Sequence, residues 1–307
     1  MEALAGVLVA DLTRYLPGAF ASRELRRLGA RVVRVEPPEG DPMRATAAEW
    51  HDALNSGAES VVCDLKSEPE LARALCGAAD VVLESFRPGV AARLGVGPDD
   101  VPERVVYCSL TGFGAGDLRA GHDLNYLGWA GALWDTAPGL PPVQAADLAA
   151  GGQQAVIEIL AALLRGEGAR IVVSMTHGAH ALVAGRPPGL LTGALACYRI
   201  YAAADARHLT VAALEPKFFA RLCELVGRPE LGERQYDEEQ EGLATELAAI
   251  FRTRTLAAWL ELFDGEDVCV GPVASPEEAE RDYGGSSRLA PPAVGQHTGE
   301  WRRRLGL

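Results

Sequence analysis

Hydrophobic positions along the chain alternate between two rhythms. Short, valine-rich runs at residues 6–11, 30–36, 60–65, 80–84 and 105–110 have the length and composition of buried strands. Between them, residues 18–28 and 68–76 carry apolar side chains at helical spacing. The first three segments read as a β-α-β unit, and the continued alternation predicts a parallel sheet with helices on both faces. A longer apolar stretch at 152–164 predicts a helix buried on most sides, followed by a strand at 170–174. Ligands of such sheets bind outside the carboxyl ends of the strands. The loops at 11–18, 85–89 and 111–123 occupy those positions.

The texture changes at Gly185-Arg-Pro-Pro-Gly189, a breaker cluster that marks a domain boundary. Beyond it come strands at 197–202 and 208–213, joined by a short loop containing Asp205. Helices follow at 216–226, 241–251 and 256–263, then an apolar strand at 268–273, which together describe a small α+β domain. From Tyr283 the chain is rich in Gly, Ser and Pro and reads as an irregular return segment ending in a basic stretch at 301–304.

The 307 residues are 48% hydrophobic, enough for a sizeable core. A net charge of −13 argues against nucleic-acid binding, and it requires that any anionic ligand be held by a few well-placed arginines and backbone amides. No apolar run approaches the roughly 18 residues of a bilayer span, so no membrane insertion is expected. Glu2 precedes the first apolar stretch with no basic region before it, which leads to the expectation of a mature cytoplasmic protein. The six cysteines show no C-x-x-C pairing. Cys63, Cys108 and Cys269 fall in apolar runs, so buried free thiols are expected, with no metal site.

Candidate chemistry centres on Gly-His122-Asp-Leu-Asn-Tyr126 and on Asp147, a lone carboxylate in an apolar run. An imidazole and a desolvated carboxyl are what an enzyme needs to move a proton at a weakly acidic carbon, and inversion at that carbon needs one base on each face. From spacing alone, a lone His beside a helix start is more often a cap or a satisfied polar group than a base. Glu215, before Pro216, is either a helix-start carboxylate or an orienting partner for His122. Asp64-Leu65-Lys66 and the stiffened loop carrying Arg87 offer positive charge to phosphates. Gly112-Phe-Gly114 and Gly151-Gly152 lack phosphate-loop spacing and read as tight turns.

Taken together, Asp-Leu-Thr-Arg14-Tyr-Leu-Pro-Gly18, Leu-Gly-Ala-Arg-Val-Val-Arg34-Val-Glu-Pro-Pro, Asp-Leu-Lys66, Glu-Ser-Phe-Arg87-Pro-Gly, Ser-Leu-Thr-Gly-Phe-Gly114 and Gly-His-Asp-Leu-Asn-Tyr126 resemble the family III CoA-transferases (CaiB/BaiF). The last motif looks most like the α-methylacyl-CoA racemase branch. The resemblance implies a Rossmann-like α/β large domain (1–185, completed by 284–307), a small α+β domain (186–283), an interlocked homodimer and an acyl-CoA substrate, with coenzyme A as part of that substrate and no permanently bound cofactor. In the racemase branch His122 and Asp147 are the two bases and Glu215 supports His122. Asp64, Leu65, Lys66, Arg87, Gly121, Asp123, Leu124, Asn125 and Tyr126 line the CoA and thioester site. In the transferase branch the carboxylate matching Asp147 is instead a nucleophile. A third reading is a family member that binds without catalysis. The chain departs from the family where a basic stretch is replaced by Asn55-Ser-Gly-Ala-Glu-Ser60 and where Pro37 stands in place of an arginine.

Overall fold

The computed structural model describes residues 2–284 and 289–307, which form two compact units. One unit runs to Ala184 and takes back the tail from Leu289; the other runs from Gly185 to Gly284.

The first unit is built on six strands, β1 (Leu8–Asp11), β2 (Arg31–Glu36), β3 (Glu59–Val62), β4 (Val81–Glu84), β5 (Val106–Thr111) and β6 (Ala169–Ser174). They pair in parallel in the order β3-β2-β1-β4-β5-β6. The chain enters at the middle, works outward to β3, then returns to β4, so the topology switches between β1 and β4. Its helices are α1 (Tyr15–Arg27), α2 (Met43–Thr46), α3 (Ala48–Asn55), α4 (Glu70–Ala78), α5 (Val90–Arg93), α6 (Asp123–Trp129), α7 (Gln154–Arg165) and α8 (Met175–Val183), with a π-helix at Ala146–Gln153.

Valine-rich strands suit the centre of this sheet because both faces are buried there, whereas on the edge strand β6 Val172 is exposed. Val9, Val32, Val81, Leu83, Val106 and Cys108 pack with Ala21 and Leu25 of α1 and with Ala155 and Ile159 of α7. Their strand neighbours Ala10, Val33, Val82 and Tyr107 belong to the opposite core, with Leu71 and Leu75 of α4. The period-2 pleat thus feeds two cores from one run of residues, and each fully buried aliphatic side chain contributes roughly 1.5–3 kcal/mol.

The second unit carries an antiparallel sheet, β7 (Tyr198–Ala202), β8 (His208–Ala212) and β9 (Val270–Pro272), in that order. Helices α9 (Pro216–Leu225), α10 (Gln240–Phe251), α11 (Leu256–Phe263) and α12 (Pro276–Tyr283), and a 3-10 turn at Pro229–Arg234, complete it. Its core is aromatic: Trp259 meets Phe251 edge-on at 5.4 Å and stacks on Phe263 at 5.7 Å.

Several local expectations are corrected. The strand expected at 60–65 ends at Val62, because the Asp64 carboxylate accepts the Lys66 N–H (3.0 Å) and the Ser67 hydroxyl (2.6 Å) and turns the chain. Gly151-Gly152 is no turn; both residues lie inside the π-helix, where a Cβ on Gly152 would come within 2.8 Å of the Pro17 carbonyl and one on Gly151 within 2.9 Å of Met175. These glycines are close-packing points. The π-helix also extends the expected apolar helix backward, so Ala146–Arg165 is a 20-residue helical run of mean hydropathy 1.3, long and apolar enough by composition to span a bilayer. Its inner face packs against the sheet through Ala155, Ile159 and Ala162. All six cysteines are free and five are buried, but Cys269 is exposed, at φ 50° just before β9.

The tail does not stay irregular. Residues 285–288 lie outside the described part of the chain, but Thr298–Leu305 forms α13 beside the edge strand β3. The N–H of Ser60 donates to His297 Nδ1 (3.1 Å), that of Val62 to Thr298 Oγ1 (2.9 Å), and the buried Trp301 indole to Glu59 (2.6 Å). The edge that β3 would otherwise present for pairing with another chain is covered.

Behind the first loop lies a buried polar cluster. The Arg34 guanidinium donates to Asp41 (2.9 Å), to the Thr13 carbonyl (3.2 Å) and to Asn55, and its Nε stands 3.7 Å from Asp11. All of these side chains are buried. Removing one partner of a buried ion pair leaves an uncompensated charge, which costs more than the pair itself contributes. R34A should therefore destabilise the fold by roughly 3–5 kcal/mol at neutral pH, read by urea unfolding. A loss below about 1 kcal/mol would show that the cluster does not hold this loop.

Candidate functional site

Two cavities open at the carboxyl ends of β1 and β4, where the topology switches and where ligands of open α/β sheets bind. The larger, about 560 Å³, is walled by Leu12, Val35, Pro37, Glu39, Cys63 and the Asp64-Leu65-Lys66 turn. The smaller, about 370 Å³, is walled by Arg87, Thr111, Gly121, His122, Tyr126 and Asp147, among others. Arg14, Tyr15, Ser85 and Phe86 line both. The cavities therefore meet over a saddle made by the ends of β1 and β4, and each lies within the size range of small-molecule sites.

The structure brings His122 and Asp147 to one wall system by a specific tether. His122 is exposed and sits at the start of α6, its N–H donating to the Asn125 side chain (3.1 Å). The next residue, Asp123, is buried and accepts the backbone N–H of Asp147 at 2.9 Å. The helix behind the imidazole is thus bonded to the π-helix that carries the carboxyl. Tyr126 completes the join: its hydroxyl donates to the Gly121 carbonyl, and its ring meets Phe113 edge-on at 5.3 Å. A Cβ on Gly112 or Gly121 would lie 2.6 or 2.8 Å from that ring, so the glycines are the slot it occupies.

Burial, then the neighbouring Asp123 carboxylate, raises the Asp147 carboxyl from its ordinary 3.8 to about 7. Asp123 is itself pushed upward by burial, against its hydrogen bonds from the Asp147 and Ala146 N–H groups. At neutral pH both protonation states of Asp147 are therefore populated, which suits a group that must give a proton and take one back. A π-turn is the kind of local helix distortion that recurs at functional sites.

The remaining sequence candidates divide. Gly121, Tyr126 and Arg87 line the smaller cavity with His122 and Asp147, and Asp64, Leu65 and Lys66 line the larger one. Asp123 faces inward as the tether. Leu124 and Asn125 line a separate shallow depression with Gly128 and Trp129. Glu215 is exposed at the start of α9 in the second unit and makes no cap bond to that helix. Sequence reasoning did not single out Arg14, Tyr15, Ser85 or Phe86, the four residues common to both cavities; only their place at strand ends pointed to them. The guanidinium groups of Arg14 and Arg87 have no hydrogen-bond or ion-pair partner among the described residues and are free to meet an anion. In the larger cavity Arg14 and Lys66 are set against Glu39 and Asp64, so it holds no excess of positive charge.

The profile of CoA-transferase family III matches residues 4–288. This chain belongs to that family. It is 34% identical to human alpha-methylacyl-CoA racemase over 310 residues, covering 90% of the chain and 79% of the relative. It is 31% identical to the acetyl-CoA:oxalate CoA-transferase of Acetobacter aceti, covering 89% and 81%. The solved structure of Rv3272 from M. tuberculosis superposes with a TM-score of 0.80 at 28% identity, covering 98% of this chain and 99% of that one. Both the racemase and the transferase likeness span nearly the whole chain, so family membership makes this an enzyme acting on acyl-CoA and leaves the choice of reaction to the site.

The raised Asp147 carboxyl sets a testable stability signature. Between about pH 4 and pH 7 the folded protein keeps a proton that the unfolded chain releases, so Asp147 costs stability increasingly as pH rises, with the full cost above 7. D147N should consequently raise the melting temperature, little near pH 4 and by about 10 °C above about pH 7, from about 4 kcal/mol at roughly 2–4 °C per kcal/mol for a domain of this size. A gain that is absent at high pH, or largest in acid, would contradict the assigned burial.

Proposed function

We propose that this protein is a cofactor-independent racemase or epimerase of 2-methylacyl-CoA thioesters. The observation that carries this reading is the presence of an imidazole and a near-neutral carboxyl, His122 and Asp147, on the wall of one cavity. The His122 imidazole takes the α-proton, and the C–H electron pair passes into the thioester enolate. The Asp147 carboxyl then delivers its proton to the opposite face of that carbon. The product carries the inverted centre, leaving an imidazolium and a carboxylate that exchange protons with solvent before the next turnover. For the other enantiomer the roles are reversed. The CoA moiety lies over the saddle into the larger cavity, with Arg14, Lys66 and Arg87 toward its phosphates. The interlocked homodimer belongs to the same proposal, as does Glu215 in support of His122.

A transferase would use the same Asp147 differently, as a carboxylate attacking the thioester carbonyl to expel CoA and form a mixed anhydride. The likeness to the oxalate enzyme supports this second reading. A carboxyl at about 7 is half protonated at neutral pH, which favours the acid–base role. His122 distinguishes the two, because only the racemase requires it.

In heavy water, wild-type protein with a branched acyl-CoA should incorporate deuterium at the α-carbon with no second acyl acceptor. H122A and D147N should each lower that exchange by about 10²–10⁴-fold. E215Q should lower it less, with bound substrate unaffected. Exchange retained in both H122A and D147N would eliminate the two-base assignment; CoA transfer to a free acid with an adduct on Asp147 trapped by hydroxylamine would establish the transferase.

A further inference from the structure

Tyr15 is the one residue of the saddle whose backbone lies where side chains are disfavoured. It opens α1 at φ 65°, in the left-handed region that a bulky residue rarely adopts. Strain of that kind persists only where the surroundings enforce it, and here they do on both sides. Before Tyr15, the Asp11 carboxylate accepts the Thr13 N–H (2.8 Å), the Thr13 hydroxyl (2.6 Å) and the Ser22 hydroxyl (2.7 Å). Arg34 holds the Thr13 carbonyl, and the Arg14 N–H donates to Ser85 at 3.2 Å, reaching across to the end of β4. After it, α1 approaches so closely at Gly18 that a Cβ there would fall 1.9 Å from Thr13 Oγ1.

The strain is not offset by burial of the side chain. Tyr15 is 48% exposed, and its hydroxyl has no hydrogen-bond partner among the described residues. What the conformation does achieve is to stand the ring on the saddle, lining both cavities, with its plane edge-on to the His122 imidazole at 6.2 Å and 89°. We infer that Tyr15 is a positioning residue: its enforced left-handed backbone holds the ring as a stop that fixes the His122 imidazole toward the smaller cavity and divides the reacting end of the substrate from its carrier end. This rests on the two-base reading for its catalytic consequence, but not for the contact itself. The aromatic ring, not the hydroxyl, is the working part.

The test compares Y15F, Y15G and Y15N. Glycine and asparagine both tolerate the left-handed backbone, so either relieves the strain while deleting the ring. Three quantities are read: the melting temperature, the kcat and KM of α-proton exchange, and the histidine Cε1–H NMR signals, with H122A assigning that of His122. Y15F should leave the His122 signal in place. Y15G and Y15N should keep or raise the melting temperature, move the His122 signal alone among the histidines, and lower kcat by tenfold or more with a smaller change in KM. An unmoved His122 signal or an unchanged kcat in both variants overturns the inference. So does a fall of several degrees in the melting temperature of both, which would make the ring a packing element. If the wild-type protein exchanges no α-proton with any acyl-CoA, the two-base reading fails, and the His122 signal still decides whether Tyr15 positions the ring.

Discussion

The hydrogen bond from the Asp147 N–H to the buried Asp123 carboxylate is the constraint on which the site depends. Between α6 and the π-helix runs an irregular stretch that would not by itself fix the relation of His122 to Asp147. The bond connects the first turn of α6 to the first turn of the π-helix, so the two proposed catalytic side chains leave elements that are tied at their bases. It also has an electrostatic effect, since a carboxylate held this close adds to the burial that keeps the Asp147 proton on near neutrality. One acidic residue thus supplies both geometry and basicity.

Around that tether the fold provides a rigid frame. The sheet reverses its winding between β1 and β4, opening the crevice in which ligands of such sheets lie. Buried charge pairs at Arg34 and Asp11 hold the loop after β1, while glycines at 112, 121, 151 and 152 let neighbouring segments approach where any side chain would intervene. The cost of burying these charges and of straining Tyr15 is set against two sheet faces filled with aliphatic side chains. Stability gained in the cores allows a site with a desolvated carboxyl and a disfavoured backbone.

Much of this was legible in the sequence, and what was not has physical causes. Valine runs announce strands buried on both faces, and the alternation of strand and helix announces the parallel sheet. The resemblance brought His122, Asp147, Arg87 and Tyr126 together, and all four line one cavity. Treating residues 121–126 as a continuous lining overlooked helix geometry: at about 100° per residue, consecutive side chains of α6 cannot share a direction, and Leu124 and Asn125 turn away. The π-helix left no periodic signature, because its first residues are small and its glycines resemble turn signals. Tyr15 was invisible for a different reason. Nothing in a tyrosine suggests a positive φ, which arises here from tertiary constraints at Thr13, Ser85 and Gly18.

The central claim is that two groups act on opposite faces of one carbon, and the most direct measurement follows the label in the first turnover. One enantiomer of a 2-methylacyl-CoA is mixed with excess enzyme in heavy water, and both enantiomers are analysed by mass spectrometry before equilibrium. Two bases place solvent deuterium in the inverted product while unreacted substrate still carries protium. Equal deuterium in recovered substrate and product from the outset, or inverted product that still carries protium, would mean a single base serves both faces, and neither label nor inverted product would remove proton transfer at that carbon altogether.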